Sequence, residues 1–334
     1  MSLSRPVEFP LLKLPWLCIK CVIQNSDIFD IIYFTTISNR TLRIVQQSKY
    51  SLKKIDVDSS RSSISMGKGK HWNFSRCAHE FGNPLLQKRN SEPFSISRSY
   101  NFITGHNLHS YTFHLKMGIE FMIEVFGCKI GYLIIAGDKI SNVFGLGINS
   151  VEELFMNDDP GPVNITDLKY LLETIKVTDT YGFEALIPAN FSCDPQIFKC
   201  RKLYFGPRSS ADWVTPELLC QFDVPQLTFW HHRFSVEHIV SYVSHWFNSE
   251  NRKLEYVRFA FDNLSLDNFQ INHLNPRPFC EKRRSRRALY KSLPPMDMSK
   301  GKDILRKDGL LATLHSFPTS VIFYVWHKRF PDAV

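Results

Sequence analysis

Three strand-like runs, "CRKLYF" (200–205), "PQLTF" (225–229) and "RKLEYVRF" (252–259), carry Leu203, Leu227 and Leu254, which are spaced 24 and 27 residues apart. Two helical pieces fall between them. "ADWVTPELLCQF" (211–222) predicts a short helix after Pro216. In "SVEHIVSYVSHWF" (235–247), Val236, Ile239, Val240, Val243 and Phe247 recur at three and four residues. A strand–helix unit of this length cannot bury its apolar face alone, so neighbouring units must stack on it. The spacing lies in the range of leucine-rich repeats and predicts an irregular, leucine-rich-repeat-like α/β domain. Side chains near 203–206, 227–232 and 254–259 would line one face of it. Tyr204, Trp230 and Tyr256 are the candidates for a target-binding surface there.

The amino-terminal stretch "LPWLCIKCVIQNSDIFDIIYFTTISNRTLRIV" (14–45) poses a different constraint. Eighteen of its 32 residues are apolar or aromatic, and only Asp27 and Asp30 are acidic. It reads as three short helices. Leu14-Pro15 opens the first, with Leu17 to Ile23 as its body; Ser26 or Asp27 caps the second, Ile28 to about Thr36; Ser38 or Asn39 caps the third, ending near Gln47. Helices this short need packing, and the apolar excess points to an interface. The expected fold class is therefore α+β: a small three-helix unit at 9–47, an irregular, partly strand region at 48–110, and an α/β domain at 111–275. A basic loop at 276–302 and a terminal strand/helix segment at 303–334 complete it. Within 111–145 the sequence predicts two or three strands with turns near Gly127 and at 136–139. Short helices are predicted at Val151 to Met156 and at Ile165 to Leu172.

The formal net charge of +9 is concentrated. Between Arg277 and Lys302 nine basic residues face only Glu281 and Asp297. Lys282, Arg283, Arg284, Arg286 and Arg287 form the densest part, readable as a solvated, self-repelling loop or as a nuclear-import or anionic-partner patch. No helix-turn-helix, zinc-finger or aromatic-studded sheet motif accompanies it, so nucleic acid is not an expected partner. Cys18-x-x-Cys21 lies among Trp16, Leu17, Ile19, Val22 and Ile23 and reads as a pair of thiols packed in a helix, not a metal site. His231, His232, His238 and His245 lack common ligand spacing, and Cys193 and Cys200 have no matching downstream pair. No glycine-rich phosphate loop, Walker lysine, nucleophile elbow or zincin helix is present. No catalytic residue, cofactor or metal is expected, and the chain does not read as an enzyme. The apolar run at 117–137 is broken by Glu120, Glu124 and Lys129, so no membrane span is expected. No secretory leader is visible and the eight Cys show no dense spacing, which predicts reduced thiols in the cytoplasm and/or nucleus and no secretion.

Two stretches carry a family resemblance. "FPLLKLPWLCIKCVIQNSDIFDIIYFTTISNRTLRIVQ" (9–46) resembles the F-box of the nematode F-box protein family in Phe9-Pro10-Leu11-Leu12, Leu14-Pro15, Val22-Ile23, Asp27 before Phe29, and Ser38-Asn39-Arg40-Thr41 running into Ile44-Val45. The later stretch, about 200–260, is similar to the type 2 F-box-associated domain of that family in Trp213-Val214-Thr215, Glu217-Leu218-Leu219, His245-Trp246-Phe247 and Asn251-x-x-Leu254-Glu255-Tyr256. The resemblance implies a non-catalytic adaptor that binds a Skp1-like protein and, through it, a cullin, and that selects an unknown substrate protein for ubiquitin transfer. Leu14, Pro15, Ile19, Val22, Ile23, Ile28, Ile31 and Ile32 would divide between the helical core and the Skp1-facing surface. The alternative is a protein-interaction scaffold without ligase recruitment, whose helices pack only on their own chain. One exposed patch of Leu14, Ile19, Val22 and Ile31 would favour recruitment; burial of those residues would favour the scaffold.

Overall fold

The computed structural model describes residues 11–67, 69–75, 85–89, 92–99, 102–106, 111–157, 163–209, 211–261, 265–290 and 293–327. Phe9-Pro10 and residues 291–292 of the basic segment lie outside them. The chain divides into two compact units, Met1–Gly131 with Gly145–Gly147, and Tyr132–Phe144 with Ile148–Val334. Both helices and sheet are abundant, as an α+β protein requires. The amino-terminal helices fall in the first unit together with the residues up to Gly131.

That first unit opens with three ten-residue helices, α1 (Trp16–Asn25), α2 (Ile28–Ile37) and α3 (Asn39–Ser48). Asp27 caps α2: one carboxylate oxygen accepts from the Phe29 N–H at 2.9 Å, and the other takes the Lys70 ammonium. Ser38 caps α3 in a reciprocal box with Thr41. Gln24 donates to the Ser48 carbonyl at 3.1 Å, which ties α1 to the end of α3. Three strands follow, β1 (Lys54–Asp58), β2 (Ser63–Ser65) and β3 (His71–Ser75), then β4 (Leu85–Arg89), β5 (Glu92–Ser99) and β6 (Phe102–His106). Their order in the sheet is β1-β2-β3-β6-β5-β4, with only β3 and β6 parallel.

Residues Tyr111–Phe126 then form a sixteen-residue helix, α4, where the sequence predicted strands. Leu115, Ile119, Met122 and Val125 are buried at helical spacing, while Glu120 and Glu124 face solvent. The β-branched and aromatic residues of the stretch mask this period. Gly127, at φ +62°, ends the helix. The core of the unit joins Ile19, Ile23, Ile31 and Val45 of the first three helices to Val125 of α4, with Phe121 and Phe126 packed alongside. On its other side α4 meets the Trp72 ring edge-on at Phe121. Gly118 lets the Phe74 ring lie against the helix; a Cβ there would collide with it.

The second unit is built on parallel strands in chain order. They are β7 (Lys129–Ala136), which runs into the unit across the Gly131–Tyr132 division, β8 (Ser150–Asn157), β9 (Lys176–Phe183), β10 (Lys202–Phe205), β11 (Gln226–Phe229) and β12 (Tyr256–Ala260). Strands β13 (Arg287–Tyr290) and β14 (Leu293–Asp297) form a separate hairpin. Strands β15 (Lys302–Leu305), β16 (Leu311–Phe317) and β17 (Ser320–Trp326) extend the sheet antiparallel, with β17 against β12. Residues 151–156, predicted as a short helix, lie in strand β8; Val151, Leu154 and Met156 are buried and the residues between them are half-buried. Helix α5 (Ile165–Thr174) matches its prediction, as do α6 (Pro216–Leu219) and α7 (Val236–Asn248). Ser235 caps α7 in another reciprocal box, with His238.

Tyr132, Glu153, Thr180, Lys202, Gln226 and Tyr256 lie in one register row, so successive units measure between 21 and 30 residues. Leu203 and Leu227 are register partners, as expected. Their partner on β12 is Val257, not Leu254, which lies buried two residues before the strand. Two rows further on, Phe183, Phe205, Phe229 and Phe259 stack ring on ring, with centroids 5.2, 4.8 and 5.6 Å apart. In-register parallel strands repeat at about 4.8 Å, so identical side chains on neighbouring strands stack with little adjustment. Trp213, Phe234 and Tyr242 of the helical layer pack edge-on against this ladder.

His232 closes the ladder's upper end. Its Nδ1 accepts from the Phe234 N–H at 3.2 Å, which leaves the proton on Nε2, 3.1 Å from the Ala260 carbonyl. Burial pushes its pKa down from 6.5 to about 4, with a smaller contribution from His231. The unfolded chain therefore binds the extra proton first. The stabilisation this gives is complete above pH 6.5 and is lost as the pH falls through 4, a loss of about 3 kcal/mol. Urea midpoints across that range should show the step in the wild type and lack it in His232→Gln.

Candidate functional site

No three His, Cys, Asp or Glu side chains come together as a metal-binding group among the described residues. Two surfaces stand out instead. The first lies on α1. Its buried face is Ile19 and Ile23, so Leu17, Cys18, Cys21 and Val22 project the other way. Leu17 is 72% exposed and Val22 and Trp16 are each 40% exposed; Ile37, at the end of α2, is 72% exposed. The two thiols expected inside the helix packing are thus exposed, because a ten-residue helix with one buried stripe leaves the residues beside that stripe in solvent.

The eight residues singled out on these helices separate cleanly. Ile19, Ile23, Ile28, Ile31 and Ile32 are buried, Leu14 is half-buried, and Pro15 and Val22 are exposed. Leu14, Ile19, Val22 and Ile31 therefore do not form one exposed patch. The largest exposed apolar side chains on these helices are Leu17 and Ile37, followed by Trp16 and Val22; of these only Val22 is among the eight. Helical spacing alone could have found Leu17, which lies off the Ile19–Ile23 stripe.

The second surface is the face of the parallel sheet opposite the Phe ladder. Tyr132 and Phe155 stack at 4.9 Å, and Phe155 reaches Tyr204 at 6.1 Å by lying across β9. It can do so because the intervening residue is Gly182, where a Cβ would run into the Phe155 ring. The Lys202 ammonium sits 5.1 Å over the Tyr204 ring, and the Arg258 guanidinium 4.4 Å over Trp230. Burial lowers the pKa of Lys202, opposed by Glu153 and Asp179. Burial and the Glu184 charge raise that of Tyr204. Tyr132, Phe155, Lys202, Tyr204, Trp230 and Arg258 are all half-buried, so each keeps part of its surface in solvent.

Tyr204 and Trp230 thus lie where the spacing placed them, on one face. Tyr256 shares that face but is buried, packed against Ala288, Met296 and Met298 of the β13–β14 region. It cannot serve as a surface anchor, and Arg258 is the β12 residue in register with Tyr204 and Thr228.

This packing also corrects the reading of the basic segment as a solvated loop. Arg284 is 1% exposed, its Nε 2.6 Å from Asp303, and its guanidinium lies between Phe279 and Trp326 at 4.7 and 5.0 Å. Arg283 approaches the same carboxylate at 3.6 Å, and Arg286 pairs with Asp297 at 2.9 Å. Of the five cations singled out, Lys282, Arg286 and Arg287 are exposed. No described helix is long and apolar enough to cross a membrane.

Residues 194–259 match the model of a family described as F-box associated. They span β10 to β12 with α6 and α7, the centre of the sheet just described. An uncharacterized protein of Caenorhabditis elegans is 33% identical over 133 residues, an alignment covering 37% of this chain and 30% of that protein. No solved structure matches the chain.

Proposed function

We propose that this chain is the substrate-recognition adaptor of a Skp1–cullin–F-box-type ubiquitin ligase. Its amino-terminal helices dock a Skp1-like protein, and the open face of its repeat-like sheet holds the target. The F-box-associated match at 194–259 carries this reading. The exposed Leu17, Val22 and Ile37 support it, since they lie on helices whose own core is already filled. The role is non-catalytic: ubiquitin transfer is accelerated by holding the target near the charged enzyme at high effective concentration. Such a role places the chain in the cytoplasm or nucleus.

Leu17→Asp tests the docking face. Leu17 makes little use of the interior, so the folded chain should lose no more than about 0.5 kcal/mol. Capture of a Skp1-like protein in co-purification should fall at least tenfold, as expected when an interface anchor becomes a buried charge. Unchanged capture by a folded variant would remove α1 from the interface.

The scaffold reading has one observation in its favour. Ile19, Ile31 and Val45 are already covered by α4 through Val125 and its neighbours. A wild-type chain that retains protein partners but never a Skp1-like one would establish it.

A further inference from the structure

The open sheet face carries enough chemistry to name what it takes, given the reading of that face as the target-binding surface. From β7 to β12 its floor crosses five strand spacings, about 24 Å at about 4.8 Å each, the length of about seven extended residues. Tyr132, Phe155 and Tyr204 make the floor aromatic, and Gly182 keeps it continuous. Charge is distributed unevenly along it. Lys202 is offset by Glu153 and Asp179, and Glu184 sits beside Tyr204. At the β12 end no described carboxylate forms an ion pair with Arg258. Its guanidinium sits 4.4 Å over the Trp230 ring, and its Nε is buried without a hydrogen-bond partner. Beside it, Tyr256 is covered by Ala288, Met296 and Met298 of the β13–β14 region.

We infer that this face binds an extended peptide segment of the target, seating an aromatic side chain on Phe155 and Tyr204 and a neighbouring carboxylate on Arg258. A planar guanidinium already placed over a ring loses little freedom when it grips a carboxylate in two-pronged fashion. The aromatic floor supplies contact area that tolerates different backbones.

The test uses the full-length chain and fluorescent twelve-residue peptide pools, each with one fixed aromatic residue flanked by Asp/Glu, Lys/Arg, Asn/Gln or phosphoserine. Anisotropy at low salt should show the Asp/Glu pool bound at least tenfold more tightly than the Lys/Arg pool. Arg258→Glu should invert that preference, and Tyr204→Ala should weaken every pool at least fivefold. Arg258→Gln, compared at an unchanged unfolding midpoint, should abolish the preference without inverting it. Equal binding of all pools, or an Arg258→Glu profile like the wild type's, overturns the inference; tenfold preference for phosphoserine over Asp/Glu overturns the carboxylate assignment. The assay contains no ligase subunit. Failure to capture a Skp1-like protein therefore leaves its outcome unchanged, and the two readings fail separately.

Discussion

Replacing Asp303 by Asn should destabilise the second unit by about 3–5 kcal/mol, the cost of leaving a buried cation without its counter-charge. Asp303 is fully buried, and its Oδ1 receives both the Arg284 Nε at 2.6 Å and the Thr313 hydroxyl at 2.8 Å. Trp326 in turn donates to Thr313 at 2.8 Å, while Arg284 donates to the Met298 carbonyl at 2.9 Å. One carboxylate therefore organises three strands and the segment that leads into the β13–β14 hairpin. Against a total stability of about 5–15 kcal/mol, the loss would be visible as a large drop in the urea midpoint. The double exchange Arg284→Met, Asp303→Leu should recover part of it, since it removes both charges; Thr313 would still lack its acceptor. A single Asp303→Asn variant with the wild-type midpoint would show that the pair contributes little.

Phe229→Ala is expected to cost a similar amount, about 3–5 kcal/mol, for a different reason. Phe229 is fully buried at the centre of the ladder, stacked between Phe205 and Phe259 and met edge-on by Phe234 and His232. Truncation leaves four rings facing a void that the strands on either side are too constrained to close. Phe229→Leu should recover most of the loss, because it keeps much of the volume. Denaturation of the three proteins side by side decides this; an alanine variant within 1 kcal/mol of the wild type would mean that the ladder collapses around the gap.

Legibility of this architecture in the sequence followed how local each signal is. Helix α7 could be read from its three–four period and α6 from Pro216, because both signals are contained in a single turn or two. The strands β10 and β11 were placed closely for the same reason. Strand β12 begins later than its apolar run, since Asn251 turns back to accept the backbone N–H groups of Lys253 and Leu254 at 2.8 and 3.1 Å. This shifts the register partner of Leu227 to Val257. Helix α4 is not legible because its mixed aromatic and β-branched residues satisfy either period, and only the packing of Phe74 and Trp72 on one side chooses the helix.

Arg284 was the least legible residue. Five cations in six positions signify a solvated loop unless a carboxylate 19 residues away is known to lie beneath one of them. On the amino-terminal helices, membership of the helical group is readable, but the split between core and surface is not. Leu17 and Ile19 differ in exposure although they are equally apolar, and only the position of α3 and α4 distinguishes them.

The ladder and the open floor occupy opposite sides of the same strands, and this has a consequence for how such a chain can change. Strand pairing fixes the pitch and the Phe rings pack below at that spacing, while the connections between strands range from short to long without disturbing it. Side chains above therefore sit at fixed positions whatever their identity. Exchange of Tyr204, Lys202 or Arg258 alters the chemistry shown on that face but not where it is presented, so the chemistry can drift while the frame that displays it stays the same.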